Sequence, residues 1–374
     1  MSLQLVDALP RRVETTFKEA KSSEALVFSA TEVDVIRTAA GIPFQIRYCP
    51  SLAKKPEPHK EREHKKSEGD KPKKKFDPFE SPPASLFITD IPSNTSNPSH
   101  FLVLNKFPVI PNHFILATKE NKPQTHFLEE DDLAAAHACL KSWVVENASS
   151  TQKHDRLFAF FNSGEYSGAS QPHRHLQFLP IKSMRDGQTS EDLDLLVDTI
   201  LENGVPISSP SPSSIEDESI ENDNTGVIHH PGLPFMHFAQ RFSADPTGTE
   251  LQKIYRKLYY LAQDAVQNYS QTSQRGLFST ATASDGDLPI SYNLAMTTTG
   301  IAILPRRSEG HVLLGDDGSQ IGYVQLNGTA LGGTLMVKQK KEWDMLRKSP
   351  AVLDEVLSSI GVPSSRAYTV PPSL

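Results

Sequence analysis

The sequence predicts an α+β fold in which a mainly antiparallel sheet is flanked by helices. Short apolar runs with strand-like composition alternate with separate segments of helical periodicity, and most elements are joined by short turns. Of the 374 residues, 37% are hydrophobic and 22% are charged, which is ordinary for a globular protein. We expect a single domain spanning residues 1–374.

The N-terminal half supplies several elements in order. An amphipathic helix is predicted from Val13 to Ser29, followed by an extended piece at Phe44–Tyr48. Two strands, FLVLNKF and HFILATK, flank the proline-rich turn PVIPN. The run LEEDDLAAAHACLKSWVVEN has acidic residues in its first turn and helical spacing of its apolar residues, so it predicts a helix. The segments RLFAFFNSG and HRHLQFLPI predict two further strands.

The C-terminal half continues the alternation. A long helix is predicted over TELQKIYRKLYYLAQDAVQNY, residues 249–269. The run SYNLAMTTTGIAILPR predicts a strand pair around Thr299 and Gly300. A glycine-rich stretch, LNGTALGGTLMVK, precedes a last predicted helix at Ala351–Ile360.

Two segments have compositions that cannot bury a core. Residues 53–75 are rich in lysine with almost no apolar residues, and residues 186–225 are rich in Ser, Pro, Asp and Glu. Both are predicted to be flexible insertions. The lysine-rich insertion could contact RNA or act as a localisation signal, but a solvated surface segment is the simpler interpretation.

Charge and cysteine content restrict the class of protein. The net charge of -7 and a pI near 6.0 argue against a general nucleic-acid binder, so no nucleic-acid partner is expected. Only two cysteines are present, and no apolar run is long enough for a signal peptide or a membrane span. We expect an intracellular, cytoplasmic protein without a membrane partner, with a nuclear location left open.

The most informative segment is NSGEYSGASQPHRHLQ, residues 162–177. Side chains alternate along a strand, so an extended segment would place His173, His175 and Gln177 on one face. The upstream glycines and serines could turn the backbone and aim N–H groups at phosphate oxygens. A neutral imidazole can attack phosphorus to form a phosphoramidate, which divides one transfer into two steps. The pattern therefore indicates phosphoryl or nucleotidyl transfer.

Two other interpretations of the histidines remain open from the residues alone. A His-x-His pair on a strand can bind a metal, although no third ligand follows nearby and glutamine is a poor one. Both histidines could also be structural. Elsewhere, His113 and His237 could be functional, but structural roles are the simpler interpretation.

The run NSGEYSGASQPHRHLQFLP resembles the active-site signature of the histidine-triad superfamily. It is most similar to the branch of fungal diadenosine tetraphosphate phosphorylases, also called ATP adenylyltransferases, in which glutamine replaces the third histidine. The segments LNKFPVIPNHFILATKE, LPFMHF, SYNLAMT, ILPR and LNGTALGGTLMVK follow in the order of that family. The resemblance implies a histidine-triad-like fold and covers most of the chain outside the two insertions.

The resemblance also implies roles for individual residues. His175 matches the nucleophile, His173 a supporting histidine, and Gln177 a residue that holds a phosphate oxygen of the adduct. The positions implied to bind the nucleotide are Lys55 (or Lys54), Asn105, Lys106, Asn162, Gly168, Ala169, Ser170, Gln171, Gln177, Asn327, Gly328, Thr329, Thr334 and Lys338. This sequence departs from the family at Ala330 and Thr334, where larger residues are usual, and the departure concerns the shape of the second nucleotide subsite, not the chemistry.

The implied reaction is phosphorolysis of diadenosine tetraphosphate. His175 would take up AMP and release ATP, and phosphate would then release ADP; adenosine 5′-phosphosulfate could enter by the same route. A divalent cation, magnesium, is expected to accompany the nucleotide, with no metal bound by the protein alone. The alternatives are a hydrolase of the same superfamily, a hexose-1-phosphate uridylyltransferase, and a non-catalytic nucleotide sensor.

Overall fold

A ten-stranded sheet forms the centre of the fold in the computed structural model, which describes residues 8–54, 76–146, 156–185, 193–207, 225–272 and 286–364. Its strand order is β3-β4-β5-β7-β6-β11-β12-β10-β9-β8, and all its neighbouring strands are antiparallel. The strands of this sheet are β3 (Phe87–Ile91), β4 (His100–Leu104), β5 (Phe114–Thr118), β6 (Leu157–Ser163), β7 (His175–Pro180), β8 (Val205–Pro206), β9 (Val227–His229), β10 (Phe238–Arg241), β11 (Ser291–Met296) and β12 (Gly300–Arg306).

Two smaller sheets lie beside the central one. Strands β1 (Glu32–Arg37) and β2 (Pro43–Tyr48) form a hairpin, and β15 (Thr334–Val337) pairs in parallel with β2. Strands β13 (Gly310–Leu314) and β14 (Gln320–Gln325) form a second hairpin. The parallel pair joins the N-terminal hairpin to the glycine-rich C-terminal stretch.

Helices cover the sheets. They are α1 (Leu9–Ser22), α2 (Glu130–Glu146), α3 (Ile181–Met184), α4 (Leu196–Asn203), α5 (Gly248–Thr272), α6 (Lys340–Lys348) and α7 (Pro350–Ile360), with 3-10 turns at Pro50–Lys54 and Gly328–Gly332. Acidic residues in the first turn of α2 complement the positive end of its dipole. The side chain of Gln339 and that of Glu342 form a reciprocal capping box that starts α6.

The alternation of side chains along the strands divides the core in two. One cluster packs α1, α2 and α5 against one face of the sheet and includes Leu176 and Phe178 of β7. The other packs α4, α7 and the β1-β2-β15 sheet against the opposite face and includes Phe158 and Phe160 of β6. His175 and Gln177 alternate with Leu176 and Phe178, so they project from the second face.

The α+β class and the mainly antiparallel sheet are confirmed, with adjustments to individual elements. The first helix ends at Ser22 because the chain then turns into β1, rather than continuing to Ser29. The prediction of one flexible insertion over 186–225 is wrong in its middle part. Residues 193–207 contain α4, whose apolar side chains at Leu196, Val197, Ile200 and Leu201 are buried.

Residues 55–75, which make up nearly all of the lysine-rich insertion, lie outside the described residues, as do 186–192 and 208–224 of the second one. Among the described helices, none combines the length and the apolar character needed to cross a bilayer.

Candidate active site

His175, at the start of β7, has a neutral ring, and one of its two nitrogens is hydrogen-bonded within the protein. Its Nδ1 lies 2.8 Å from the carbonyl oxygen of His173, and because a carbonyl only accepts, Nδ1 carries the proton. The Nε2 atom therefore bears the lone pair, and no group in the described part of the chain bonds to it. Burial lowers the pKa of His175 to about 4. The ring is therefore uncharged at neutral pH and has an unprotonated Nε2, which is the state that nucleophilic attack requires.

Gln124 fixes the backbone of His175. Its Oε1 accepts from the N–H of His175 at 2.7 Å, while its Nε2 donates to the carbonyls of Asn162 at 2.8 Å and His175 at 3.1 Å. The β6–β7 ladder ends at the Phe160–Gln177 pair, although the same register would place Asn162 opposite His175. The buried amide thus bridges the two strands where they separate.

His173 precedes β7 instead of lying within it, which corrects the prediction of one continuous strand. It forms an isolated bridge with Pro123, and β7 begins at His175. Its Nδ1 lies 2.7 Å from Asp77 Oδ2, and its Nε2 lies 2.8 Å from the carbonyl oxygen of Thr118. Both ring nitrogens are therefore bonded within the protein, and the contact of His173 with His175 runs through its backbone carbonyl.

Gln177 is oriented by a relay through His113. Asn105 Nδ2 can only donate, so His113 Nδ1 accepts from it at 3.0 Å and His113 Nε2 carries the proton. That proton is donated to Gln177 Oε1 at 3.0 Å. Burial lowers the pKa of His113 to about 4, which keeps this ring neutral. The relay leaves the amide N–H₂ of Gln177 directed away from His113.

The glycine–serine loop after β6 turns twice through left-handed backbone conformations, at Gly164 (φ +87°) and Gly168 (φ +79°). The Ser167 hydroxyl donates to the carbonyl of Gly164 at 2.7 Å and accepts from the N–H of Ala169 at 3.2 Å, so it shapes the loop. Ser170 is exposed and Gln171 is half-buried at the rim.

The loop lies directly against the C-terminal stretch. A Cβ atom at Gly168 would come within 2.8 Å of Asn327 Cβ and 2.9 Å of the carbonyl oxygen of Leu326. Gly168 and Asn327, two predicted nucleotide-binding positions far apart in sequence, therefore meet in one place. Only glycine fits there, both for its φ angle and for its contacts.

A buried polar network joins these segments beneath the site. Asn162 Oδ1 accepts from Asn293 Nδ2 at 2.9 Å and from the N–H of Gly328 at 2.8 Å. Arg306 donates to Asn293 Oδ1 and to the carbonyl oxygen of Leu326. Burial lowers the pKa of Arg306 to about 9, so the guanidinium stays charged at neutral pH. The network fixes β6, β11 and the Gly328 turn relative to one another.

The other predicted C-terminal residues form a second group, here called the C-terminal group: Asn327, Thr329, Thr334 and Lys338. Asn327 Oδ1 accepts from the N–H of Thr329 at 3.0 Å, and the hydroxyl of Thr329 lies 3.0 Å from the carbonyl of Thr334. Lys338 Nζ donates to Gln325 Oε1 at 2.9 Å. Thr329 and Thr334 are buried, so their side chains support the turn.

Three lysines were predicted on the N-terminal side. Lys106 is exposed beside Asn105, with its Nζ 5.7 Å from the ring centroid of Phe107. Lys54 ends the 3-10 turn Pro50–Lys54, and its side chain is not described. Lys55 lies outside the described residues. The placement of Lys54 or Lys55 near the nucleotide stays a prediction.

Comparison with known proteins decides the family. A family model described as the Ap4A phosphorylase N-terminal domain matches residues 2–198, and one described as the ATP adenylyltransferase C-terminal domain matches residues 231–363. The chain belongs to the Ap4A phosphorylase family. It is an enzyme of the nucleotidyltransferase class.

Relatives from Saccharomyces cerevisiae are similar over nearly the whole length of this family member. Diadenosine 5′,5′′′-P1,P4-tetraphosphate phosphorylase 2 is 26% identical over 96% of this chain and 95% of its own, and Protein APA1 is 26% identical over 94% of each. The crystal structure of yeast Ap4A phosphorylase Apa2 in complex with Ap4A gives a TM-score of 0.68 at 22% identity, covering 96% of this chain and 99% of that chain. The likeness confirms the fold.

Several residues of the candidate active site were not predicted from sequence: Gln124, Asp77, Thr118, Asn293 and Arg306. Each acts through a contact between segments that are distant in sequence, as Asp77 does with His173. Gln124 lies in the polar run ATKENKPQTH, so no local pattern marks it as buried, although the structure buries it.

No set of three or more His, Cys, Asp or Glu side chains is arranged to hold a metal within the ranges that the structure describes.

Proposed function

We propose that this family member cleaves diadenosine tetraphosphate with inorganic phosphate through AMP bound covalently to Nε2 of His175. The observation that carries the proposal is the fixed tautomer of His175. Its Nδ1–H is bonded to the carbonyl of His173, and its Nε2 lone pair is free among the described groups.

In the first step, Nε2 attacks the α-phosphorus of one adenylyl group. An N–P bond forms, the P–O bond to the rest of the molecule breaks, and ATP leaves with the electron pair. The imidazole gains positive charge as it bonds to phosphorus, and the hydrogen bond from Nδ1 to the His173 carbonyl stabilises that charge. Gln124 holds the backbone of His175 during this attack.

In the second step, a phosphate oxygen attacks the same phosphorus, the N–P bond breaks, and ADP leaves while His175 recovers its lone pair. The Gln177 amide donates to a non-bridging oxygen, because its Oε1 is occupied by His113. An amide cannot remove a proton from water, whereas phosphate arrives already as an anion. We infer that this difference favours phosphorolysis over hydrolysis.

The two nucleotide halves would lie on either side of His175. The loop from Gly164 to Gln171 is suited to bind the phosphates. Asn327 contacts Gly168 of this loop, so the C-terminal group would lie beside the bound phosphates. Magnesium would enter bound to the polyphosphate as part of the substrate. Chelation by EDTA should then slow the reaction, and added magnesium should restore it.

The test is to incubate the purified full chain and diadenosine tetraphosphate with and without phosphate and to separate the products by anion exchange. ADP and ATP in equal amounts, formed only with phosphate, would support the proposal. AMP and ATP formed without phosphate would indicate a hydrolase, and no turnover would favour a nucleotide sensor.

Two variants make the test specific. His175→Ala should lower turnover by roughly 10⁴-fold or more, since it removes the nucleophile. His237→Ala is the matched control, because His237 is also buried with Nδ1 on a carbonyl two residues earlier, that of Phe235. Its Nε2, however, accepts from the N–H of His230 at 2.8 Å and is not available. Its folded fraction should be verified by circular dichroism.

A further inference from the structure

Asp77 and His173 form a buried pair directly beside the nucleophile. Asp77 Oδ2 lies 2.7 Å from His173 Nδ1, and the two side chains are 12% and 1% exposed. The pair joins the first described residues after the lysine-rich segment to the start of β7, across 96 positions of the sequence. Nothing in the reaction described above assigns a role to Asp77.

The contacts of Asp77 show that it is an ionised acceptor. Oδ2 accepts from Asn121 Nδ2 at 3.0 Å as well as from His173, and Oδ1 accepts from the N–H of Phe79 at 2.9 Å. Burial alone would raise the pKa of Asp77, but the hydrogen bonds from His173 and Phe79 outweigh that effect and lower it.

The other side of the His173 ring is equally defined. The hydroxyl of Thr118 donates its proton to the carbonyl of Glu120 at 2.7 Å, so Thr118 Oγ1 can only accept from His173 Nε2, 3.1 Å away. The carbonyl of Thr118 accepts from the same nitrogen at 2.8 Å. Both nitrogens of His173 therefore face acceptor oxygens, and Asp77 holds the Nδ1 side of the ring.

The pairing with Asp77 fixes the position of His173, whose carbonyl oxygen is hydrogen-bonded to the His175 ring. The carbonyl oxygen of His173 accepts from Nδ1 of His175, so the tilt of the His173 residue sets the direction of the His175 ring. Phe79, whose N–H is bonded to Asp77, lies with its ring centroid 5.4 Å from that of His173 and 5.1 Å from that of His175. One carboxylate therefore organises the surroundings of both histidines.

We propose that Asp77 is a positioning residue for the nucleotidyl transfer, acting through His173 to aim Nε2 of His175 at the α-phosphorus. The proposal rests on the proposed function, because it takes Nε2 of His175 as the attacking atom. A small misalignment of a nucleophile is expected to slow the chemical step without weakening ground-state binding.

The experiment compares Asp77→Asn with the wild-type chain in single-turnover release of ATP from diadenosine tetraphosphate, without phosphate and with enzyme in excess. The rate should fall about 10- to 100-fold, while the affinity for AMP stays unchanged. Asp77→Glu, which keeps the charge, should recover part of the rate. Asp245→Asn is the matched control, because Asp245 pairs with Lys141 at 2.6 Å on the exposed surface and should leave the rate unchanged.

A double-mutant cycle identifies the route. If Asp77 acts through His173, then Asp77→Asn should cause no further loss in a His173→Asn background. Additive losses, or a fall in AMP affinity that matches the fall in rate, would overturn the proposal, as would a normal rate in Asp77→Asn.

A spectroscopic readout does not depend on turnover. In the histidine-labelled wild-type chain, His173 should show two slowly exchanging ring N–H protons, and Asp77→Asn should lose or shift the one on Nδ1. A single ring proton on His173 in the wild type would overturn the proposal. Two ring protons in a wild-type chain without turnover would instead count against the proposed function.

Discussion

Replacing Gln124 by leucine should disturb both the stability of the chain and the alignment of His175, the proposed nucleophile. Leucine has a similar size but cannot hydrogen-bond, so the N–H of His175 and the carbonyls of His175 and Asn162 would lose their bonds to this side chain. A buried polar group without a partner costs about 1–3 kcal/mol. For these three groups the sum is about 3–9 kcal/mol, and because relaxation of the surroundings lowers it, we expect a loss near the lower end, roughly 3 kcal/mol.

The expected loss is measurable by thermal unfolding. A change of this size corresponds to a fall in Tm of about 4 °C or more, because an unfolding entropy of about 2.1 cal/mol/K per residue applies over a chain of 374 residues. The single-turnover rate should also fall, by roughly 10-fold or more, because the start of β7 is no longer fixed. The control is Gln240→Leu, since the buried Gln240 Oε1 has no hydrogen-bond partner among the residues that the structure describes, so removing its amide should cost little.

A third variant separates shape from hydrogen bonding. Gln124→Glu keeps an acceptor for the His175 N–H but sets a second oxygen against two carbonyls. The introduced carboxyl is favoured when protonated, so its folded pKa is raised and the variant should gain stability relative to wild type as pH falls from 8 to 5. Unchanged Tm and rate in Gln124→Leu would refute the reasoning.

Three further predictions follow from the site and its support. The first half-reaction should keep its rate until pH falls through about 4, since burial lowers the pKa of His175 to about 4; an acid limb near 6.5 in single-turnover kinetics would contradict this. His113→Leu should slow turnover about 10-fold by releasing the Gln177 amide, and the effect should vanish in Gln177→Ala, which a double-mutant cycle tests. Arg174→Met should lower the free energy of unfolding by about 3–5 kcal/mol in a denaturant titration, because it removes the cation that pairs with the buried Asp132. Lys141→Met is the control: Lys141 forms an exposed ion pair, so its loss should change the free energy of unfolding little.

The elements predicted correctly from sequence are those whose pattern is local. The strand pair around Thr299 and Gly300 and the helix over residues 249–269 each depend on periodicity within one segment. Helix α4 was missed because its short apolar run, starting at Leu196, lies between two polar stretches that dominate the composition. Propensity over a long window cannot resolve such a segment.

For the site, sequence reasoning pointed to His175, Gln177 and the segments around them, whose roles stay predictions, but not to the residues that support them. His175 and Gln177 stand in a short, specific pattern, so their chemistry could be inferred from residue type. Gln124, Asp77 and Arg306 function through partners on other strands and loops, and their roles appear only when the chain is folded. Composition and spacing carry no information about such pairs.

The measurement that tests the central claim most directly is isolation of the covalent intermediate. The wild-type chain would be mixed with diadenosine tetraphosphate without phosphate, quenched in base, digested and analysed by mass spectrometry with fragmentation between His173 and His175. We predict one adenylyl group on His175, lost as ADP when phosphate is added before the quench. Turnover without any adduct, or an adduct on another residue, would contradict the assignment of His175 as the nucleophile.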